Sequence, residues 1–104
     1  MSHVTTHVLD SALGRPAAGV PVQLTGPDGL IASSQTNADG RVTDLGPAEL
    51  APGDYSLAFD TATYFGDAEH FYPRVCIDFT IAGSDHYHVP LLLSPFGYST
   101  YRGS

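Results

Sequence analysis

Apolar and polar residues alternate at period two along most of this chain. The clearest run is His86 to Leu93, where Tyr87, Val89, Leu91 and Leu93 fall on one face. His86, His88, Pro90 and Leu92 fall on the other, which predicts a strand with an apolar inner face and a mixed outer one. Val75, Ile77, Phe79 and Ile81 repeat the pattern against Cys76, Asp78 and Thr80, and Tyr55-Ser56-Leu57-Ala58-Phe59 repeats it again. Near the start, Val4, Thr6 and Val8 share a face, with Thr5, His7 and Leu9 opposite. Shorter β-rich runs cover Val22 to Thr25, Leu30 to Thr36, Val42 to Leu45 and Tyr98 to Tyr101.

Between these runs stand eleven glycines and eight prolines. Gly26-Pro27-Asp28-Gly29 is a tight hairpin signal, and Asp39-Gly40 is a turn that puts Arg41 at the mouth of the next strand. The loop from Asp10 to Pro21 carries Gly14, Pro16, Gly19 and Pro21, which are turn residues. One short helix is expected before Gly66, with Asp60 or Thr61 as its capping residue. About eight short strands and one short helix make an all-β sandwich, in a single domain spanning residues 1–104. There is no internal repeat or low-complexity tract.

Charge narrows the partners. The net charge is -7, with four arginines (Arg15, Arg41, Arg74 and Arg102) and no lysine. Such a surface repels nucleic acid and anionic membranes, so neither is expected as a partner. It also means that an anionic or carbonyl-rich ligand needs a local cation. No apolar run approaches membrane length, and Met1-Ser2-His3 is neither basic nor apolar in the manner of a secretory signal. A cytoplasmic location is the expectation. The lone Cys76 forms no intrachain disulfide, and mid-strand without a neighbouring base it reads as a partly buried structural thiol.

Two histidines stand on outer strand faces. Taken alone, His7 reads equally as a solvated residue on an edge. The face of His88 mixes His, Pro and Leu, too apolar for open solvent and too polar for a core, which points to an interface or a ligand channel. His86-x-His88 places two imidazoles on one strand face, and His3, His7 and His70 add possible ligands for a zinc site. Against it, no Asp or Glu alternates onto that strand face, and no metal or other cofactor is expected.

The chain closes on Leu93-Ser94-Pro95-Phe96-Gly97-Tyr98-Ser99-Thr100-Tyr101-Arg102-Gly103-Ser104. This closely resembles the ending of the 5-hydroxyisourate hydrolases, the transthyretin-like enzymes of urate breakdown. Thr6 to Asp10, Gly14 to Val22 and Thr36 to Arg41 resemble the same family, in order along the whole chain. The resemblance implies a transthyretin (prealbumin)-like sandwich that converts 5-hydroxyisourate to 2-oxo-4-hydroxy-4-carboxy-5-ureidoimidazoline without metal or cofactor. It implies a homotetramer, a dimer of dimers whose interface forms the channel. It assigns His7 and His88 to the active site. An imidazole pKa of about 6.5 suits the pair to activate water and relay protons, and the donor fork of Arg41 suits it to hold carbonyl oxygens and the developing negative charge. His7, Arg41, Tyr101 and Ser104 bind substrate in this reading, and Arg102 pins the tail through an acidic partner. Ser104 offers a hydroxyl and the terminal carboxylate. Phe71-Tyr72-Pro73-Arg74 departs from the family, which often has an acidic residue after that proline.

Two rival readings share the early motifs. A transthyretin-like carrier of small ligands would use the same sandwich, without the catalytic histidines and the Tyr-Arg-Gly-Ser ending. A β-sandwich interaction module resembles only Gly14 to Leu57 and leaves everything after Asp60 unexplained.

Overall fold

The alternation builds two sheets around one core. The computed structural model describes residues 2–104. In chain order it has β1 (Val4–Asp10), β2 (Arg15–Pro16), β3 (Pro21–Gly26), β4 (Gly29–Gln35), β5 (Arg41–Val42) and β6 (Gly53–Phe59). Then follow α1 (Thr61–Phe65), β7 (Val75–Ile81), β8 (Tyr87–Ser94) and β9 (Gly97–Thr100). One sheet runs β2-β1-β8-β9, with β5 also paired to β1; the other runs β4-β3-β6-β7.

The inner faces are the predicted ones. Tyr87, Val89, Leu91 and Leu93 of β8 meet Val4 and Val8 of β1 and, from the second sheet, Leu24, Leu57, Phe59 and Ile77. Leu91 is fully buried, so truncating it to alanine would cost about 2–5 kcal/mol through lost transfer energy and a residual cavity. The hairpin at Pro27-Asp28 closes β3 on β4 as expected. Asp60 caps α1: its carboxylate accepts from the Thr63 N–H (3.1 Å) and the Thr63 hydroxyl (2.7 Å), and Gly66 ends the helix at φ +59°. Those hydrogen bonds, the side-chain one foremost, hold Asp60 below the usual carboxylate pKa.

Three features differ from the sequence expectation. Among the described residues there are nine strands rather than about eight, because Arg15–Pro16 forms a two-residue strand inside the expected loop. The strand after Arg41 ends at Val42. Cys76 is exposed on the outer face of β7, not partly buried, because Ala58 opposite it is too small to cover it.

The site depends on two pairings that no local pattern specifies. β1 runs parallel to β8, with Thr5 beside His88 and His7 beside Pro90. β5 runs antiparallel to β1, with Arg41 opposite His7.

Candidate active site

The Asn37-Ala38-Asp39-Gly40 turn sets Arg41. The Asn37 side-chain carbonyl accepts from the Asp39 N–H (2.9 Å) and the Arg41 N–H (3.0 Å), and Gly40 takes φ +73°. A side chain at Gly40 would be strained there and would run into the Val8 carbonyl and Pro16. The Val8 N–H donates to the Gly40 carbonyl at 2.7 Å, so that pair is hydrogen-bonded. His7 and Arg41 are therefore the alternating non-hydrogen-bonded pair, whose Cα atoms in such ladders approach to roughly 4.5 Å. A long-range pairing thus brings an imidazole and a guanidinium side by side.

The hydrogen-bond partner of His7 fixes its tautomer. Nε2 lies 3.0 Å from the Asp39 carbonyl, an acceptor only, so Nε2 carries the hydrogen and Nδ1 keeps a lone pair in the neutral ring. Burial lowers the His7 pKa, the Arg41 charge lowers it further, and the Asp39 carbonyl and carboxylate oppose them. His88 is half-buried and its pKa is lowered too, first by burial, then by Arg41, His7 and His86, with a hydrogen bond to the Thr5 backbone opposing them. Its Nδ1 sits 2.8 Å from the Thr5 hydroxyl, which leaves Nε2 for other work. Both imidazoles thus favour the neutral form that a general base needs.

The tail lies along β8. Gly103 pairs with His88, its N–H donating to the His88 carbonyl at 2.7 Å. This continues the register of β9, yet the ladder breaks at Tyr101, which falls opposite Pro90. Proline has no N–H to donate, and its carbonyl accepts from the Thr100 hydroxyl instead, at 2.7 Å. Gly103 is also a packing requirement. A Cβ there would stand 2.6 Å from His88 Cδ2 and 3.2 Å from Pro90 Cγ, so the imidazole lies where only glycine leaves room. Arg102 turns to the other side and places its guanidinium 4.5 Å from the Tyr87 ring centroid. The tail is therefore pinned on an aromatic ring, not on the acidic partner expected from the sequence.

Arg41, His88 and Ser104 line one hollow of about 190 Å³ with Thr5, Thr43 and His86. His7 stands beside it through Arg41. Tyr101 is more than half exposed and lines a separate hollow of about 300 Å³ with His88, Arg102 and Phe79. Within one chain, then, four of the five expected site residues cluster, and Tyr101 meets them only through His88. Sequence reasoning passed over Thr5 and Gly103, and took His86 only as a metal ligand. The available signal was parity: Thr5 and His7 share one face, and His86 and His88 another.

The remaining histidines work elsewhere. His3 is buried; its Nδ1 accepts from the Leu50 N–H (2.9 Å) and its Nε2 donates to the Asp85 carbonyl (2.8 Å). His70 bonds the Ala68 carbonyl and stacks on Phe65. Among the described residues, no three His, Cys, Asp or Glu side chains gather as a metal-binding group.

A two-sheet sandwich with a histidine–arginine outer face and its own tail folded back on a histidine defines a narrow class. The chain belongs to the HIUase/Transthyretin family, whose model matches residues 4–103. It is 50% identical to 5-hydroxyisourate hydrolase 2 of Rhizobium meliloti, over 97% of this chain and 95% of that protein. The solved 5-hydroxyisourate hydrolase of Klebsiella pneumoniae superposes with a TM-score of 0.89 at 43% identity, covering 97% of this chain and 98% of that one. Transthyretin from Sparus aurata superposes with a TM-score of 0.88 at 29% identity, covering 99% and 97%. Fold alone does not separate the hydrolase from transthyretin.

Proposed function

We propose that this protein hydrolyses 5-hydroxyisourate, opening a cyclic amide-type C–N bond to give 2-oxo-4-hydroxy-4-carboxy-5-ureidoimidazoline in urate degradation. The carrying observation is the meeting of His7, Arg41 and His88 on one sheet face, the latter two in the hollow that Ser104 also lines. Hydrolysis needs a water deprotonated as it attacks, an oxyanion held, and a nitrogen leaving group protonated. His88 and His7, both favouring the neutral form, take the proton and return it. Arg41 offers a planar fork of donors to the substrate's carbonyl oxygens and to the oxyanion. His7 and the Ser104 hydroxyl complete substrate binding. No metal or cofactor enters the scheme.

Tyr101 binds substrate in this proposal from a neighbouring hollow, and a second subunit is what would enclose both. The outer face of the first sheet mixes His88, buried Pro90 and half-buried Leu92, which suits a subunit contact. We therefore take the working form as a homotetramer, one domain per chain, with sites shared at subunit contacts. Light scattering on a sizing column should give four times the 11.0 kDa chain mass, and a fully active monomer would refute shared sites. Among the described residues no helix is long and apolar enough to cross a membrane, and the cytoplasmic placement is to be checked by cell fractionation.

The direct assay follows ultraviolet absorbance of freshly generated 5-hydroxyisourate with and without the protein. The expected result is clear acceleration over spontaneous decay, unchanged by a strong chelator. Tight ligand binding without acceleration would favour the carrier.

A further inference from the structure

We infer that Thr5 and His86 are positioning residues for His88: one threonine hydroxyl joins the two imidazoles and couples their tautomers. The inference builds on the reading of His88 as an acid–base group. Thr5 Oγ1 lies 2.8 Å from His86 Nε2 and 2.8 Å from His88 Nδ1. Thr5 is buried, and a buried hydroxyl needs a partner. One hydrogen bond would satisfy it. Two ring nitrogens converge on it instead, from residues on the outer face of β8 and just before it.

A hydroxyl has one hydrogen and two lone pairs; among the described residues Oγ1 has no third hydrogen-bond partner, so its hydrogen goes to one of these nitrogens and the other nitrogen donates to it. Two states follow, and they are opposites. In the first, His86 Nε2–H donates to Oγ1 and Oγ1–H donates to His88 Nδ1, so neutral His88 carries its hydrogen on Nε2 and is an acid there. In the second, His88 Nδ1–H donates to Oγ1 and Oγ1–H donates to His86 Nε2, so His88 Nε2 holds a lone pair and is a base. The hydrogen bond made by one ring nitrogen thereby sets the chemistry of the other.

The same path moves charge out of the hollow. When His88 Nε2 takes a proton from water, an N–H bond forms there. The Nδ1 hydrogen passes to Oγ1 and the Oγ1 hydrogen passes to His86 Nε2. One proton has entered, and the positive charge rests on His86, which is exposed, while His88 is half-buried. The reverse sequence returns the proton to the leaving nitrogen. The groups around His88 are His7 on β1, Arg41 on β5, His86 before β8, Asp78 on β7, and Tyr101, Arg102 and Ser104 on the tail. Burial and the Arg41 charge oppose a cation on His88, which favours passing it outward.

Histidine-selective ¹⁵N NMR across pH on the full chain tests this, comparing wild type with Thr5→Val, Thr5→Ser and His86→Gln, beside the hydrolysis assay. Thr5→Val keeps the branched shape and removes only the hydroxyl. The expected result is a changed His88 tautomer ratio and titration midpoint in Thr5→Val and His86→Gln, with Thr5→Ser close to wild type. Turnover in Thr5→Val should fall roughly 10- to 100-fold with little change in KM, less than the loss of a general catalyst itself. His86 is exposed, so its variant keeps the question open should Thr5→Val fail to fold. An unchanged His88 tautomer and midpoint in His86→Gln would overturn the coupling. Altered tautomers with full turnover in Thr5→Val would overturn the positioning role. If wild type fails to hydrolyse 5-hydroxyisourate, the proposed function falls, and the NMR result alone decides the coupling.

Discussion

The outer faces of the two sheets have the same pleat and opposite chemistry. On the second sheet, Gln23, Ser33, Asp54, Ser56, Cys76, Asp78 and Thr80 look outward, and the Thr80 hydroxyl simply donates to Asp54 at 2.8 Å. One of two hollows of about 400 Å³ on that side lies between Pro21, Gln23, Ser33, Ala58, Asp60, Pro73 and Arg74. It holds no imidazole. On the first sheet the hollow is half that size, yet every ring in or beside it is fixed: His7 by Asp39, His88 and His86 by Thr5, and His88 again by the Gly103 backbone. Volume therefore does not mark the site here. Side chains held by specific partners on strands do, since a catalytic group works only within a narrow range of positions.

The largest expected difference between the faces is catalytic. His88→Asn or His7→Asn should lower turnover by roughly 10²- to 10⁴-fold, the range for a lost general catalyst, with little loss of melting temperature. Cys76→Ser and Gln23→Ala, on the other face, should leave turnover unchanged. Equal effects on both faces would dissolve the distinction. Arg41→Lys comes next. A point charge cannot reproduce the paired donors of a guanidinium, and losing an oxyanion donor typically costs about 10²- to 10³-fold. A lysine variant of near-full activity would reduce Arg41 to a long-range charge.

Gly103→Ala should give a smaller loss, about 10-fold, because the added methyl must displace the His88 ring by part of an ångström, and a misplacement of about 1 Å costs roughly 10²-fold. The tail is otherwise held by the Gly103–His88 bond and by Arg102 on Tyr87, so folding should survive. Deleting Tyr101 to Ser104 sharpens the point, for it removes no fully buried side chain. A stable truncated protein with wild-type turnover would make the tail an inert end.

Much of this architecture could be read in the sequence, and the gaps have physical causes. Strict alternation in β8 fixed which residues face the core, because an error of one position would bury His88 and expose Leu91. Asp60 and Gly66 marked the helix because capping is local chemistry. The pairing of β1 with β8 could not be read, since it joins residues more than eighty positions apart without any turn between them. His7 beside Arg41 was hidden for the same reason, and so was Thr5 between two histidines. Pro90 was visible as a residue of the outer face, but its effect on Tyr101 needs the β9 register. Cys76 was misjudged because exposure of an outer face depends on how little its neighbours cover.

The smallest effect, and the one that links the site to folding, is the pH dependence of stability. Unfolded histidine titrates near pH 6.5, and folded His7 and His88 bind their protons only at lower pH. Between those values the unfolded chain holds more protons, so stability rises with pH. The contribution of the neutral rings is complete above about pH 6.5 and is lost as pH falls below it toward the lowered folded values. Asp60 acts in a separate, more acidic window: its folded pKa lies below 3.8, so its contribution fades only as pH falls through that lower value. Melting temperatures at fixed protein concentration from about pH 8 to about pH 5 should therefore decline, and the His7→Asn/His88→Asn double variant should flatten the decline. Activity of the wild type should fall over the same range, because the protonated imidazole is no longer a base. A double variant with an undiminished slope would show that these two rings are as freely solvated as the residues on the opposite sheet face.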